Sequence, residues 1–104
     1  MRELPANEFE GAVASDKLTI VDFWAEWCPP CKMLVPVLEE LSAETTDATI
    51  YKFDVQNEAN RPLTQKYEIK NIPAVLFFKN GVEIHRELGF KPKETWLELI
   101  ENLK

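Results

Sequence analysis

Leu18-Thr19-Ile20-Val21-Asp22-Phe23-Trp24 runs directly into Ala25-Glu26-Trp27-Cys28-Pro29-Pro30-Cys31-Lys32-Met33. The first part is an apolar, β-branched run interrupted only by Thr19 and Asp22, the pattern of a strand buried on both faces, as in a parallel sheet. From about Pro30 to Glu44, apolar residues fall at Leu34, Val37, Leu38 and Leu41, which is helical spacing. Pro36 sits inside that helix and predicts a kink, because it removes one hydrogen bond. The cysteines Cys28 and Cys31 are thus placed where a strand ends and a helix opens. A cysteine at a helix N-terminus meets unpaired backbone N–H groups and the positive end of the helix dipole. Both favour the thiolate, which is the nucleophilic form. A second thiol three residues on can close a small ring and expel a substrate held as a mixed disulfide. This assigns Cys28 as nucleophile and Cys31, one turn into the helix and expected to be more buried, as resolver.

Working outward, Asn7 to Ala14 reads as a short helix with Phe9 and Val13 on one face. Thr49 to Val55 reads as a second buried strand. Asn57 to Tyr67 is a polar loop leading into a short helix, with Pro62 suited to its first turn. Ala74 to Phe78 is a third apolar strand, and Asn80-Gly81 is a strong hairpin signal. Val82, Ile84, Arg86 and Leu88 alternate with Glu83, His85 and Glu87, which predicts an antiparallel strand with a wetter face carrying His85. Lys93 to Leu103 carries Trp96, Leu97, Ile100 and Leu103 at helical spacing. Strands separated by helices imply a mixed sheet with helices on both faces.

The chain has 104 residues, 45% of them hydrophobic and 29% charged, the composition of an ordinary globular chain and the length of one domain, residues 1–104. A net charge of −6 makes nucleic-acid binding a poor expectation, since that depends on clustered Lys and Arg. The first ten residues show no signal-peptide pattern, and no window approaches about 20 apolar residues, so the expectation is no membrane span and a cytoplasmic location. With 2 cysteines the chain is no disulfide-built scaffold, and a bridge across so short a loop adds little to fold stability. Zinc needs about four ligands, and the cysteine pair plus the lone His85 supplies three at most, so no metal is expected.

The run from Val21 to Met33 resembles the active-site segment of the thioredoxin family. The similarity continues through Pro36, Lys52, Asp54, Lys66-Tyr67, Asn71-Ile72-Pro73, Phe77-Phe78-Lys79-Asn80-Gly81 and Gly89, nearly the whole chain. The resemblance implies a thioredoxin fold, an α/β architecture whose central mixed five-stranded sheet is flanked by helices on both faces. It implies a dithiol–disulfide oxidoreductase without a prosthetic cofactor, a monomer acting on disulfide-containing proteins. Its reducing equivalents would come from thioredoxin reductase, an NADPH-dependent flavoprotein. Pro29 departs from the family, which usually carries glycine there, and Phe90 stands where a small residue is common.

Further residues acquire roles through the same resemblance. Asp22 interrupts a buried strand and matches the family's buried aspartate, a proton acceptor for Cys31; the bland alternative is a solvent-facing strand position. A carboxyl whose pKa is raised by burial suits proton transfer near neutrality. Lys52 resembles the family's lysine near that aspartate, or is an ordinary strand-edge lysine. The Ile72-Pro73 bond is expected to be cis and to face the dithiol. Trp27, Pro30, Ile72, Pro73, Ala74, Gly89 and Phe90 are expected to line the substrate site, although Trp27 and Phe90 also suit plain core packing. Trp24 reads as core, and Lys32 either aids the thiolate or is simply solvated. The alternatives to a reductase are a binding module that uses the collar without turnover and a zinc-binding adaptor.

Overall fold

The computed structural model describes residues 1–104. Along the chain come β1 (Arg2–Glu3), a 3-10 turn (Ala6–Glu8), α1 (Phe9–Val13), β2 (Leu18–Trp24), α2 (Pro29–Glu44) and β3 (Ala48–Asp54). A second 3-10 turn (Glu58–Asn60), α3 (Arg61–Lys66), β4 (Ala74–Lys79), β5 (Val82–Leu88) and α4 (Lys93–Leu103) complete it. The strands form one five-stranded sheet in the order β1-β3-β2-β4-β5. β3 runs parallel to β1 and β2, while β4 is antiparallel to β2 and β5. The fold is that expected from the resemblance. The residues alone indicated only four of the strands, because β1 is too short to display alternation.

Period-2 alternation divides β2 between two apolar layers. Leu18 and Ile20 face Leu34, Leu38 and Leu41 of α2 and Trp96 and Ile100 of α4. Val21 and Phe23 face the opposite layer, with Phe9 and Val13 of α1, Phe53 and Phe78. Phe9 sits edge-on to Phe53 and Phe78 at centroid distances of 5.3 and 5.7 Å. Each such aromatic contributes about 1.5–3 kcal/mol through burial, so the two layers clamp the sheet that carries the dithiol. α2 runs unbroken through Pro36, which lies on its exposed side. Asn80 and Gly81 both have positive φ, 54° and 80°, as a two-residue hairpin turn of this twist requires.

Two expectations fail at the sheet's edge. Val82, Ile84 and Leu88 are 60, 39 and 48% exposed, whereas Glu83, His85, Arg86 and Glu87 are half-buried. β5 is the outer strand of the sheet, and a bulge interrupts it: Phe77 pairs with His85 and Phe78 with Glu83, leaving Ile84 as the extra residue and exchanging the faces of Val82 and Glu83. The bulge brings Glu83 and Arg86 to one side, where Arg86 Nε donates to Glu83 Oε2 at 2.8 Å and Nη2 to the Tyr67 carbonyl at 2.8 Å. His85 and Glu87 share the face that counting gives them, beside Phe77 and Val75, but that face is half-buried and not wet. His85 packs edge-on against Phe77 and shares a 2.8 Å hydrogen bond between Nε2 and Glu87. Leu97, one of the residues at helical spacing in α4, is 43% exposed, because the buried stripe of the helix runs through Trp96 and Ile100.

Candidate active site

β2 ends at Trp24 and α2 opens at Pro29, with Cys28 in the N-cap position. Pro29 and Pro30 fill the first helical positions, where the missing N–H groups would have had no intrahelical partner. The first N–H to reach the cap is that of Cys31, which donates to Cys28 Sγ at 3.3 Å. Cys28 and Cys31 form a disulfide with their Cα atoms 5.2 Å apart. Cys31 is fully buried and Cys28 is 4% exposed, so the expected contrast in burial is small in the disulfide form. Cys31 continues the stripe of Leu34, Leu38 and Leu41, the side of α2 that faces the sheet.

Asp22 continues the row of Leu18 and Ile20 on the strand face that meets α2. It is fully buried, and neither carboxyl oxygen has a hydrogen-bond partner. The solvent-facing alternative is therefore excluded. Burial pushes its pKa up to about 7; Glu3 adds to the rise and Lys52 opposes it. Lys52 is the direct β3 partner of Asp22, not an edge residue, and its Nζ lies 5.0 Å from the Trp24 ring centroid.

Trp24 is half-buried rather than core. It flanks the small cluster of Ala25, Cys28 and Cys31, and its Nε1 donates to Glu3 Oε1 at 3.4 Å. Glu3 had no signal in the sequence, because it reaches the site only through β1. It pairs with Lys52, which makes Glu3, Lys52 and Asp22 one row across three strands. Burial raises the pKa of Glu3, while the N–H of Asp54, 2.8 Å from Oε2, and the Trp24 indole pull it back.

The Ile72-Pro73 bond is cis. Cys28 Sγ lies 3.9 Å from the Ile72 carbonyl oxygen, which brings that loop against the sulfur. Ile72 is half-buried, and Pro73 and Ala74 are buried. Gly89, at φ 84°, donates its N–H to the Pro73 carbonyl at 2.8 Å and ties the end of β5 to the same loop. A side chain at that φ is strained, so glycine suits the junction. Trp27 and Phe90 are 64 and 38% exposed, which rules out plain core packing for both. Pro29 and Pro30 are exposed as well. Lys32 points to solvent with its Nζ 3.7 Å from Glu26 Oε1, so its charge is shared with a carboxylate. No group of three or more His, Cys, Asp or Glu side chains comes together to hold a metal ion.

β2 thus carries a buried, unpaired acid and leads into a disulfide at the cap of α2, a bond that can exchange with other thiols and disulfides. The thioredoxin family model matches residues 1–102. The chain is 46% identical over 94 residues to a thioredoxin of Chlamydia trachomatis, covering 90% of this chain and 89% of that protein. It is 44% identical over 87 residues to thioredoxin-1 of Saccharomyces cerevisiae, covering 84 and 82% of the two chains. Among solved structures, the thioredoxin of Malassezia sympodialis superposes with a TM-score of 0.87 at 31% identity, covering 98% of this chain and 89% of the other.

Proposed function

From the premise that the chain belongs to the thioredoxin family and is a thiol–disulfide oxidoreductase, we propose that it reduces protein disulfides with Cys28 as attacking sulfur, Cys31 as resolving sulfur and Asp22 as proton acceptor. The Cys28 thiolate attacks one sulfur of a substrate disulfide, forming a mixed disulfide and releasing the other substrate sulfur as a thiolate. Asp22 takes the Cys31 proton. The Cys31 thiolate attacks Cys28 Sγ, the bond to the substrate breaks, and the substrate leaves with both sulfurs reduced. The protein keeps the Cys28–Cys31 disulfide, having delivered two electrons. A thioredoxin reductase drawing on NADPH restores the dithiol. No prosthetic group takes part.

The observation that carries this reading is the Cys31 N–H donated to Cys28 Sγ at the cap of α2. A donor fixed on that sulfur, together with the helix dipole, stabilises negative charge there and not on Cys31. Trp27, Pro30, Ile72, Pro73, Ala74, Gly89 and Phe90 form the docking collar. An extended substrate segment beside Cys28 can hydrogen-bond backbone groups of the Ile72–Ala74 loop, as strand-adding peptides do. Lys52 moderates Asp22, and Pro29 and Lys32 shape the loop without touching the substrate sulfur. The working form is a single cytoplasmic domain of residues 1–104, a monomer whose partners are the reductase and disulfide-bearing proteins.

Insulin reduction driven by dithiothreitol tests the reading. The wild-type chain accelerates precipitation of the insulin B chain, and Cys28→Ser abolishes the acceleration. A wild-type chain without effect would instead favour a non-catalytic binding module, and stoichiometric zinc in the purified protein would favour an adaptor.

A further inference from the structure

The row Glu3–Lys52–Asp22 has a chemical consequence beyond strand pairing. Residues paired on adjacent strands project to the same face of the sheet. Two strand spacings separate Glu3 from Asp22 at the backbone, about 10 Å, comparable with the Debye length at physiological ionic strength. Lys52 lies between them as direct partner of both. The lysine is held by neither: its ammonium rests over the Trp24 ring, and both oxygens of Asp22 are without a partner. Glu3 in turn fixes that ring, accepting from Trp24 Nε1 with one oxygen and from the Asp54 N–H with the other. One carboxylate thus sets the position of the indole under Lys52 and puts a second negative charge on the far side of the lysine.

We propose that Glu3 is a positioning residue of the proton relay: by anchoring Trp24 and drawing Lys52 away from Asp22, it holds the proton affinity of Asp22 high enough to accept the Cys31 proton near neutral pH. The inference rests on the relay reading of Asp22. The negative charge of Glu3 disfavours a second one on Asp22 and so raises its proton affinity. Among the elements around Asp22, β1 brings Glu3 and β3 brings Lys52, with Asp54 beside Glu3. β4 contributes the apolar partner Val75, and α2 contributes Cys31, with the exposed pair Glu26 and Lys32 at the margin of the hollow that Trp24 and Lys52 line. Lys52 is the cation on Asp22's own row, so the balance between the two carboxylates turns on it.

The test is a carbon-13 titration of the Asp22 carboxyl in the reduced protein, with the pH profile of mixed-disulfide resolution measured in parallel. Glu3→Gln removes the charge and keeps an acceptor for the indole; Glu3→Asp keeps the charge. The expected result for Glu3→Gln is an Asp22 midpoint lower by on the order of half a pH unit, the scale of one charge at this distance in a partly solvated setting, with the resolution profile moving alike. Glu3→Asp restores at least half of the shift. An Asp22 midpoint that stays within about 0.1 unit of wild type in Glu3→Gln, or rises, overturns the proposal. Equal shifts in both variants overturn it as well, since charge would then not be the cause. If Asp22→Ala leaves the resolution profile unchanged, the relay reading fails, and the role assigned to Glu3 fails with it. If Asp22→Ala flattens the profile and Glu3→Gln does not move it, only the role of Glu3 fails.

Discussion

Cys28 and Cys31 differ less in exposure than in what surrounds each sulfur. Cys28 Sγ receives an N–H at 3.3 Å and sits beside the Ile72 carbonyl at the rim, while Cys31 is enclosed under the first turn of α2. In the reduced protein iodoacetamide should modify Cys28 at least about ten times faster than Cys31 near neutral pH, as mass-spectrometric mapping would record. Equal labelling would remove the basis for naming Cys28 the attacking sulfur. Asp22 makes a second, thermodynamic prediction. Its folded pKa is about 7 against a reference of 3.8, so between those values the folded chain binds the proton that the unfolded chain has lost. The contribution of Asp22 to stability is therefore most favourable below about pH 4, falls as pH rises towards 7, and carries the whole penalty above that, on the order of 4 kcal/mol for a shift of this size. Asp22→Ala should abolish that fall. In urea melts the variant should exceed wild type at pH 8 and lose the advantage at pH 4, while its mixed disulfide resolves more slowly at pH 7. Parallel stability profiles for the two proteins would contradict a buried, unpaired carboxyl.

At the scale of the elements, the join between β2 and α2 was legible because three independent signals coincide there: a buried-strand pattern, two prolines at a first turn, and a helical stripe. The join also makes a prediction for Pro29. Proline adds no donor to the sulfur, and its contribution lies in restricting the unfolded and reduced chains. Pro29→Gly should lower stability by about 0.4–1 kcal/mol in denaturant melts and move the potential by no more than about 30 mV against a reference thioredoxin. A much larger shift would mean that the proline acts on the thiolate itself. Other elements were not legible, each for its own reason. β1 is two residues long, so Glu3 could not be assigned a strand partner or a place in the site. β5 alternates in sequence, but polar residues hold the half-buried positions of this outer strand, so hydropathy marked the face of His85 and Glu87 as the wetter one, and the extra residue at Ile84 exchanges only the faces of Val82 and Glu83. Trp24 reads as the end of an apolar run, yet its indole N–H needs an acceptor and finds Glu3, which keeps it half-buried at the edge of the site. The positions of Trp27 and Phe90 rested on resemblance, since one aromatic in a loop carries no periodicity.

Across the whole molecule, the dithiol packs with Ala25, Trp24, Val55 and Ile72, and the proposed collar adds exposed apolar groups to a chain whose net charge is −6. That charge disfavours attraction to a polyanion, and Trp27 and Phe90 stand exposed on the surface. The central claim is that one sulfur of the dithiol attacks and the other releases. Its most direct measurement is the mass of the covalent species formed when reduced Cys31→Ser and reduced Cys28→Ser are each mixed with an excess of a disulfide-bearing protein such as insulin. The account predicts that Cys31→Ser accumulates a mixed disulfide through Cys28 that persists until dithiothreitol is added, and that Cys28→Ser forms little or none in the same time. A mixed disulfide forming faster through Cys31 than through Cys28, or none with either variant, would contradict it.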